Sequence, residues 1–480
     1  MEKILNYIGG ALVEPLSGNY FDNINPSTGK VYSLIPHSDS MDVDRAVQAA
    51  EKAKESWAKM PVKKRSEILL KIAALIDENC EELAMAESMD NGKPVKLARE
   101  VDIPRASLNM SFFATAILHF SSEAHATDSI AINYTIREPL GIVGCISPWN
   151  LPLYLFTWKI APALASGNCV IGKPSELTPM TAFLFSKLCI QAGLPAGVLN
   201  IIHGQGNSCG QAIVEHREIS AISFTGGTVT GKKIASIAAP EFKKLSLELG
   251  GKNPNIVFGD CDYEEALRTS VLSAFSNQGE ICLCGSRIFV ERNIYDRFVK
   301  DFVLKTEKLS IGDPKDPDTR IGAVVSEGHM NKILSYIALA KEEGGVIQTG
   351  GERAVLSGDL QGGFFLRPTV ITGLDAHCRV NQEEIFGPVT TIIPFDSEEE
   401  VVLLANSTKY GLSATVWTEN LKKAHRMGNE LKAGIVWINC WLLRDLRTPF
   451  GGMKESGVGR EGGWEALKFF TEPKNICVKL

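Results

Sequence analysis

The stretch FSNQGEICLCGSR, residues 275–287, carries two thiols, Cys282 and Cys284, two residues apart. The polar run Asn277-Gln278-Gly279 just before them is a poor choice for a core, and a zinc site wants Cys-x-x-Cys spacing. A nucleophilic sulfur is the chemistry left to weigh. A thiol with a pKa of about 8.5 is only a few per cent ionised at neutral pH. It therefore needs something to favour the thiolate, donors for an oxyanion, and a base for any later hydrolysis. Two segments offer such groups at the ends of short apolar runs. ISPWN (146–150) closes on Asn150, an uncharged amide able to donate to a developing oxyanion. LELGGKNP (247–254) sets Glu248 just before Gly250-Gly251, where a carboxylate is either a base or half of a buried ion pair.

Other segments read as nucleotide contacts. FTGGTVTG (224–231) follows a strand-like run and opens a helix; Gly226 and Gly227 let backbone approach a phosphate, and Thr225 and Thr228 add hydroxyls. A tight β–α turn explains the same residues without a ligand. GKPSE (172–176) closes another run with Lys173 and Glu176. A carboxylate there can accept both ribose hydroxyls of an adenosine and would repel a 2′-phosphate, favouring NAD over NADP. Gly204-Gln205-Gly206 through Gly210 imitates a dinucleotide fingerprint, but its third glycine comes one position late.

These groups need a scaffold that gathers strand ends. Helical spacing runs through 42–58 and 64–90, ending at Gly92 and Pro94. From residue 140 short apolar runs (140–147, 168–174, 197–204, 219–224, 243–250) alternate with helices, and the alternation restarts at NPNIVF (253–258). That pattern predicts βαβ units around parallel sheets. DSIAINYTIRE (128–138) and KNICVKL (474–480) read instead as exposed alternating strands, which usually need a partner.

Composition bounds the remainder. The chain has 480 residues, 44% hydrophobic and 22% charged, with a net charge of −6, so two or three domains are expected and a nucleic-acid or anionic-membrane surface is disfavoured. Eleven scattered cysteines without Cys-x-x-Cys fit reduced thiols in the cytoplasm, and no metal site is expected. No apolar run long enough for a membrane span is visible.

SPWN (147–150), FTGGTVTG (224–231), LELGGKNP (247–254), NQGEICLCGSR (277–287), EEIFGPV (383–389) and PFGGMKESGVGRE (449–461) stand in the order found in the aldehyde dehydrogenase superfamily, which the chain resembles from about residue 8 to its end. The resemblance implies an α/β fold of two Rossmann-like doubly wound domains with a small β oligomerisation arm. Residues 1–118 and 139–250 would bind NAD, 251–450 would carry the nucleophile, and 119–138 with 466–480 would form the arm of a homodimer or homotetramer. It makes Cys282 the nucleophile, Glu248 the general base and Asn150 the oxyanion amide. Cofactor contacts would come from Ser147, Pro148, Trp149, Lys173, Glu176, Phe224, Thr225, Gly226, Gly227, Leu249, Gly250, Glu384 and Phe386. Cys284 falls on a variable neighbour and is expected to pack. Gly227 replaces a more frequent serine, and Glu280 stands where glutamine is commoner.

NCWLLRDLRTPFGG (439–452) places Arg444 and Arg447 on a loop resembling the family's substrate entrance, and Arg105 falls on a helix that lines the substrate tunnel in the family. Guanidinium forks match carboxylates, so the aldehyde is expected to carry one, with Arg105 and Arg447 as first contacts and Arg444 behind them. A surface pair of Arg447 with Asp445 is the competing reading. The combination resembles the 2-aminomuconic and 2-hydroxymuconic semialdehyde dehydrogenases of aromatic-ring and tryptophan breakdown. A long apolar aldehyde such as retinal would want an apolar tunnel. A crystallin-like structural role would be signalled by loss of Cys282, Glu248 or Asn150, and all three are present.

Overall fold

The computed structural model describes all 480 residues. Its first sheet has eight strands, in the order Gly457–Val458, Lys244–Glu248, Ala221–Thr225, Ile142–Ile146, Cys169–Lys173, Leu199–Ile201, Asn6–Ile8 and Ala11–Val13. The five central strands are mutually parallel, and antiparallel strands flank them on both sides. Ile142–Ile146 and Cys169–Lys173 are buried along their whole length, as parallel strands covered on both faces must be. Gly144 leaves room that Ile213 and Ile222 fill, since a Cβ there would stand 2.8 Å from Ile213 Cγ2.

The parallel part of this sheet starts in its middle at Ile142–Ile146, winds outward to Leu199–Ile201, then returns to the other side at Ala221–Thr225. The switch point lies between Ile142–Ile146 and Ala221–Thr225, and the crevice at their carboxyl ends is where open α/β sheets take ligands. Helix Pro152–Ala165, buried at all 14 positions, starts on proline and follows the first of these strands directly.

The second sheet has seven strands in the order Val346–Thr349, Thr369–Thr372, Val389–Phe395, Arg287–Glu291, Pro254–Val257, Ser413–Trp417 and Ile435–Ile438, parallel except for the first. A separate antiparallel sheet joins Ala124–Thr127, Ala131–Pro139 and Thr471–Lys479, so the two exposed segments of the sequence pair with each other. No helix is long and apolar enough to cross a membrane.

The helical pattern expected over 64–90 is two helices, Val62–Glu78 and Cys80–Asn91. The break is at Asn79, whose side-chain amide donates to Leu75 O at 2.8 Å and so competes with the helical ladder. Gly92, left-handed at φ 89°, caps the second helix as the sequence requires. The N-terminal strands, among them the small sheet of Glu2–Lys3, Tyr20–Asn25 and Lys30–Pro36, had no clear signature.

Candidate active site

Helix Tyr263–Phe275 delivers the cysteine segment through an unusual turn. Asn277, Gln278 and Gly279 are left-handed in succession, at φ 50°, 56° and 71°. Non-glycine residues rarely take that conformation, so the surroundings must hold it. Asn277 Nδ2 donates to Asn150 O at 3.0 Å, and Gly279 lies so close to Gly387 that a Cβ would meet its carbonyl oxygen at 2.2 Å. Beyond the turn, Asn253 Nδ2 donates to the carbonyls of both Cys282 and Cys284, at 2.7 and 2.9 Å. Cys284 is buried among apolar side chains. Cys282 faces a cavity of about 550 Å³ that Glu248, Arg105, Arg444 and Tyr154 also line.

Asn150 is buried, and its Nδ2 donates one hydrogen to Glu280 O at 2.8 Å. An amide has two, and the second makes no hydrogen bond within the chain. Glu248 is also buried, with neither carboxylate oxygen hydrogen-bonded. Burial first, then the neighbouring Glu461, lifts its pKa well above the ordinary carboxylate range, while Lys159 pulls the other way. The Cys282 thiol is raised by burial, then by Glu384 and Glu248, with Arg444 opposing.

The expected cofactor residues gather at the switch point of the first sheet. Ser147, Pro148 and Trp149 form the loop after Ile142–Ile146, and Phe224 and Thr225 end the adjacent strand. Lys173 and Glu176 pair at 2.9 Å, and Glu176 Oε1 accepts Gly206 N–H at 3.3 Å, so part of the imperfect glycine fingerprint meets the same corner. Gly226 has no room for a side chain, since a Cβ would sit 2.4 Å from the Phe224 ring. Gly227 differs: it precedes helix Thr228–Ala238, and a Cβ there would find nothing within 4 Å. Thr225 Oγ1 and Ser147 Oγ are buried without partners. An open position at a helix N-terminus, orphaned hydroxyls and an ion-paired carboxylate are a donor and acceptor set that fits a dinucleotide. Glu384 accepts Gly251 N–H at 2.9 Å, and Gly250 must be glycine because a Cβ would reach Glu384 Oε2 at 2.3 Å. Phe386, left-handed at φ 62°, meets Trp149 edge to face at 5.3 Å, and Leu249 fills the space over Gly231.

The structure reverses the order of the arginines. Arg447 points outward, its side chain 80% exposed and paired with Asp445 at 2.6 Å, and it does not line the cavity. The carboxylate two residues earlier captures it before it can turn inward. Arg444 and Arg105 are the cavity's cations. Arg444 stacks over Phe450 at 4.0 Å and donates to Tyr154 OH at 2.7 Å. Arg105 sits over Tyr154 and Trp158, with Nε and Nη2 buried and unpartnered.

The aldehyde dehydrogenase family model matches residues 13–476, nearly the whole chain. The chain belongs to the aldehyde dehydrogenase family. It is 50% identical over 477 residues to the 2-aminomuconic semialdehyde dehydrogenase of Homo sapiens, covering 99% of this chain and 98% of the relative. It is 49% identical to the 2-hydroxymuconic semialdehyde dehydrogenase of Pseudomonas sp. (strain CF600), with all of both chains covered. The NAD+ complex structure of the aldehyde dehydrogenase from Bacillus cereus superposes with a TM-score of 0.97 at 41% identity, covering 100% of this chain and 97% of that one.

Sequence reasoning missed two groups of this aldehyde dehydrogenase. Lys159 pairs with Glu461 at 2.7 Å, with Ser223 Oγ also on Glu461 at 3.2 Å, and this buried chain lies beside Glu248. Its signal was available: one lysine in the otherwise apolar helix LYLFTWKIAPALA. The second group holds the Asn150 loop. Lys93 Nζ donates to Asn150 O at 3.0 Å, Asn91 Nδ2 to Trp149 O at 3.0 Å, and Glu87 accepts Leu153 N–H at 3.3 Å. Lys93 also pairs with buried Asp102.

Proposed function

We propose that this aldehyde dehydrogenase oxidises a semialdehyde of the 2-aminomuconate or 2-hydroxymuconate class to the dicarboxylate, with NAD as cofactor. The observation that carries the substrate reading is Arg105, a half-buried side chain on the cavity wall whose Nε and Nη2 have no hydrogen-bond partner. Burial lowers its pKa, Tyr154 and Asp445 oppose this and Arg444 adds to it, so two guanidinium groups stand together on one cavity wall, where a substrate carboxylate could pair with them. The relatives named for muconic semialdehydes support the same class.

In this reading the Cys282 thiolate attacks the aldehyde carbon, and the oxygen that becomes anionic takes the free N–H of Asn150. Arg105 and Arg444 hold the far carboxylate and so fix which end of the substrate reaches the sulfur. A bound NAD+ would supply the acceptor for the hydride whose departure takes the carbon to the thioester level. Lys173 and Glu176 would hold the adenosine ribose, Gly226 and Gly227 the pyrophosphate, and Glu384 the second ribose. Glu248, buried and without a partner, takes a proton from the water that cleaves the thioester and frees the sulfur. We place the enzyme in the cytoplasm as a homodimer or homotetramer, with the sheet of residues 124–139 and 471–479 as its joining arm.

Steady-state NADH formation tests the reading with 2-hydroxymuconic semialdehyde, a neutral aldehyde of similar length, and retinal. Arg105→Met should lower kcat/KM for the anionic substrate about ten- to a hundredfold, or roughly 1.5–3 kcal/mol, and spare the neutral one. Arg447→Ala should change neither. Equal use of all three aldehydes, unaffected by Arg105→Met, would reduce the claim to an aldehyde dehydrogenase without a carboxylate site.

A further inference from the structure

Glu280 has no part in the chemistry above, yet it is fully buried two residues before Cys282. Its side chain and its main chain point at different parts of the site. The main-chain carbonyl accepts the Asn150 amide at 2.8 Å. The carboxyl Oε1 accepts Val325 N–H at 3.2 Å and lies 3.6 Å from His329 Nε2, while Oε2 is buried without a partner. That same His329 nitrogen is 2.6 Å from Phe386 O. A carbonyl only accepts, so Nε2 carries the hydrogen and His329 is the donor.

Two strained turns meet here. Asn277–Gly279 is left-handed on one side, Phe386 on the other, and they touch where Gly279 presses on Gly387. Left-handed phenylalanine is costly and persists only where its surroundings over-determine it. Residues 325–329 supply that restraint: Val325 N–H holds Glu280, Ser326 Oγ caps the helix by accepting His329 N–H at 3.2 Å, and the His329 ring reaches Phe386. The ring also packs edge-on to Trp149 at 5.1 Å, and Trp149 to Phe386 at 5.3 Å.

Resting on the cofactor reading above, we propose that the Glu280 side chain is a positioning residue for NAD: by holding Val325 N–H it fixes the start of the helix that carries His329, and His329 in turn fixes Phe386 and Trp149 as one wall of the nicotinamide-side pocket. This gives the position a physical requirement. Val325 N–H donates to Glu280 Oε1, while the one Nε2 hydrogen of His329 goes to Phe386 O, so Glu280 acts on His329 through the backbone of 325–329, and the position needs a buried acceptor on a side chain of this length. Glutamine supplies the same acceptor; leucine does not. Burial raises the Glu280 carboxyl well above its ordinary range and lowers His329 to about 4, so the histidine is neutral near pH 7, and an amide of the same shape as the carboxyl is a fair isostere.

The test is NAD+ affinity by titration calorimetry on the full enzyme, with thermal unfolding alongside. Wild type should bind; if it does not, the cofactor reading itself fails and this inference with it. Glu280→Leu and His329→Leu should each weaken NAD+ binding about tenfold, and the double variant should be no weaker than the worse single, because both break one clasp. Glu280→Gln should bind within about twofold of wild type. KM for the aldehyde at saturating NAD+ should stay within about twofold in all four. The proposal is overturned if Glu280→Leu binds like wild type, if Glu280→Gln is as weak as Glu280→Leu, or if the two leucine effects multiply. Should Glu280→Leu fail to fold, His329→Leu, at a partly accessible side chain, carries the same decision.

Discussion

Cys282 presents its thiol to a cavity whose nearest charges mostly oppose ionisation. Burial raises its pKa, Glu384 and then Glu248 raise it further, and Arg444 alone among the main neighbours lowers it. The cofactor-free enzyme should therefore gain reactivity steadily with pH through the alkaline range, because only the thiolate alkylates. Glu384→Gln removes one opposing charge and should speed iodoacetamide inactivation at pH 8 about three- to tenfold; Arg444→Ala removes the one helper and should slow it. Unchanged rates in both variants would mean that these charges do not reach the sulfur. That Asn150 and Glu248 stand at strand ends and Cys282 just past a polar turn was readable in the sequence, because glycine and amide residues break the apolar pattern beside each of them. The direction of an arginine was not. Arg444 and Arg447 share a short loop, and which one turns inward depends on Leu442 being left-handed at φ 59° and on Asp445 taking Arg447.

At the scale of elements, the loop carrying Asn150 is tied to helix Cys80–Asn91 and its successor as well as to its own sheet, where Ser147 N–H meets Lys173 O at 3.1 Å. Lys93, Asp102 and Glu87 are all buried, and one proton on Glu87 supplies the donor that Glu87 Oε1 and Asp102 Oδ1 both lack. Burial raises Glu87 to about 8, with Lys93 opposing. The folded chain thus binds this proton more tightly than the unfolded one, whose glutamate keeps its ordinary value near 4.3. Its stabilising effect is complete at acid pH and is lost as pH rises through about 8. Between pH 7 and 9 the urea midpoint of wild type should fall by more than that of Glu87→Gln, whose amide keeps an acceptor for Leu153 N–H and a donor for Asp102. Parallel curves for the two proteins would show that Glu87 is already ionised at pH 7. Nothing local in the sequence announces this cluster, since Lys93 meets Asn150 from 57 residues away. Lys159 differs, because a single charge inside an apolar helix is visible before any fold is known. The helix break at Asn79 was missed for a local reason: the apolar spacing continues across it, and only the asparagine side chain ends the ladder.

At the scale of the whole chain, neither large sheet holds the site alone. The first sheet ends on Asn150 and Glu248, the second begins from the segments that carry Cys282 and Glu384, and the chain passes between them at Gly250–Asn253. The third sheet touches none of these residues. Its central strand, Ala131–Pro139, is paired on both sides, which leaves Ala124–Thr127 and Thr471–Lys479 as open edges, and it exposes Ile130, Ile132 and Val478. Open edges and exposed aliphatic side chains on one small sheet fit a joint between subunits. Truncation after Pro473 tests this while sparing the packing of the last helix, because Thr471 stays to bond Leu467 O at 2.8 Å and to accept Lys244 Nζ at 3.0 Å. The shortened chain should keep its far-ultraviolet circular dichroism and shift by light scattering to a smaller assembly than the full chain. If its mass per particle stays that of the full chain, the subunits are joined elsewhere, and the pairing of the tail with Ala131–Pro139 serves only to close the end of its own chain.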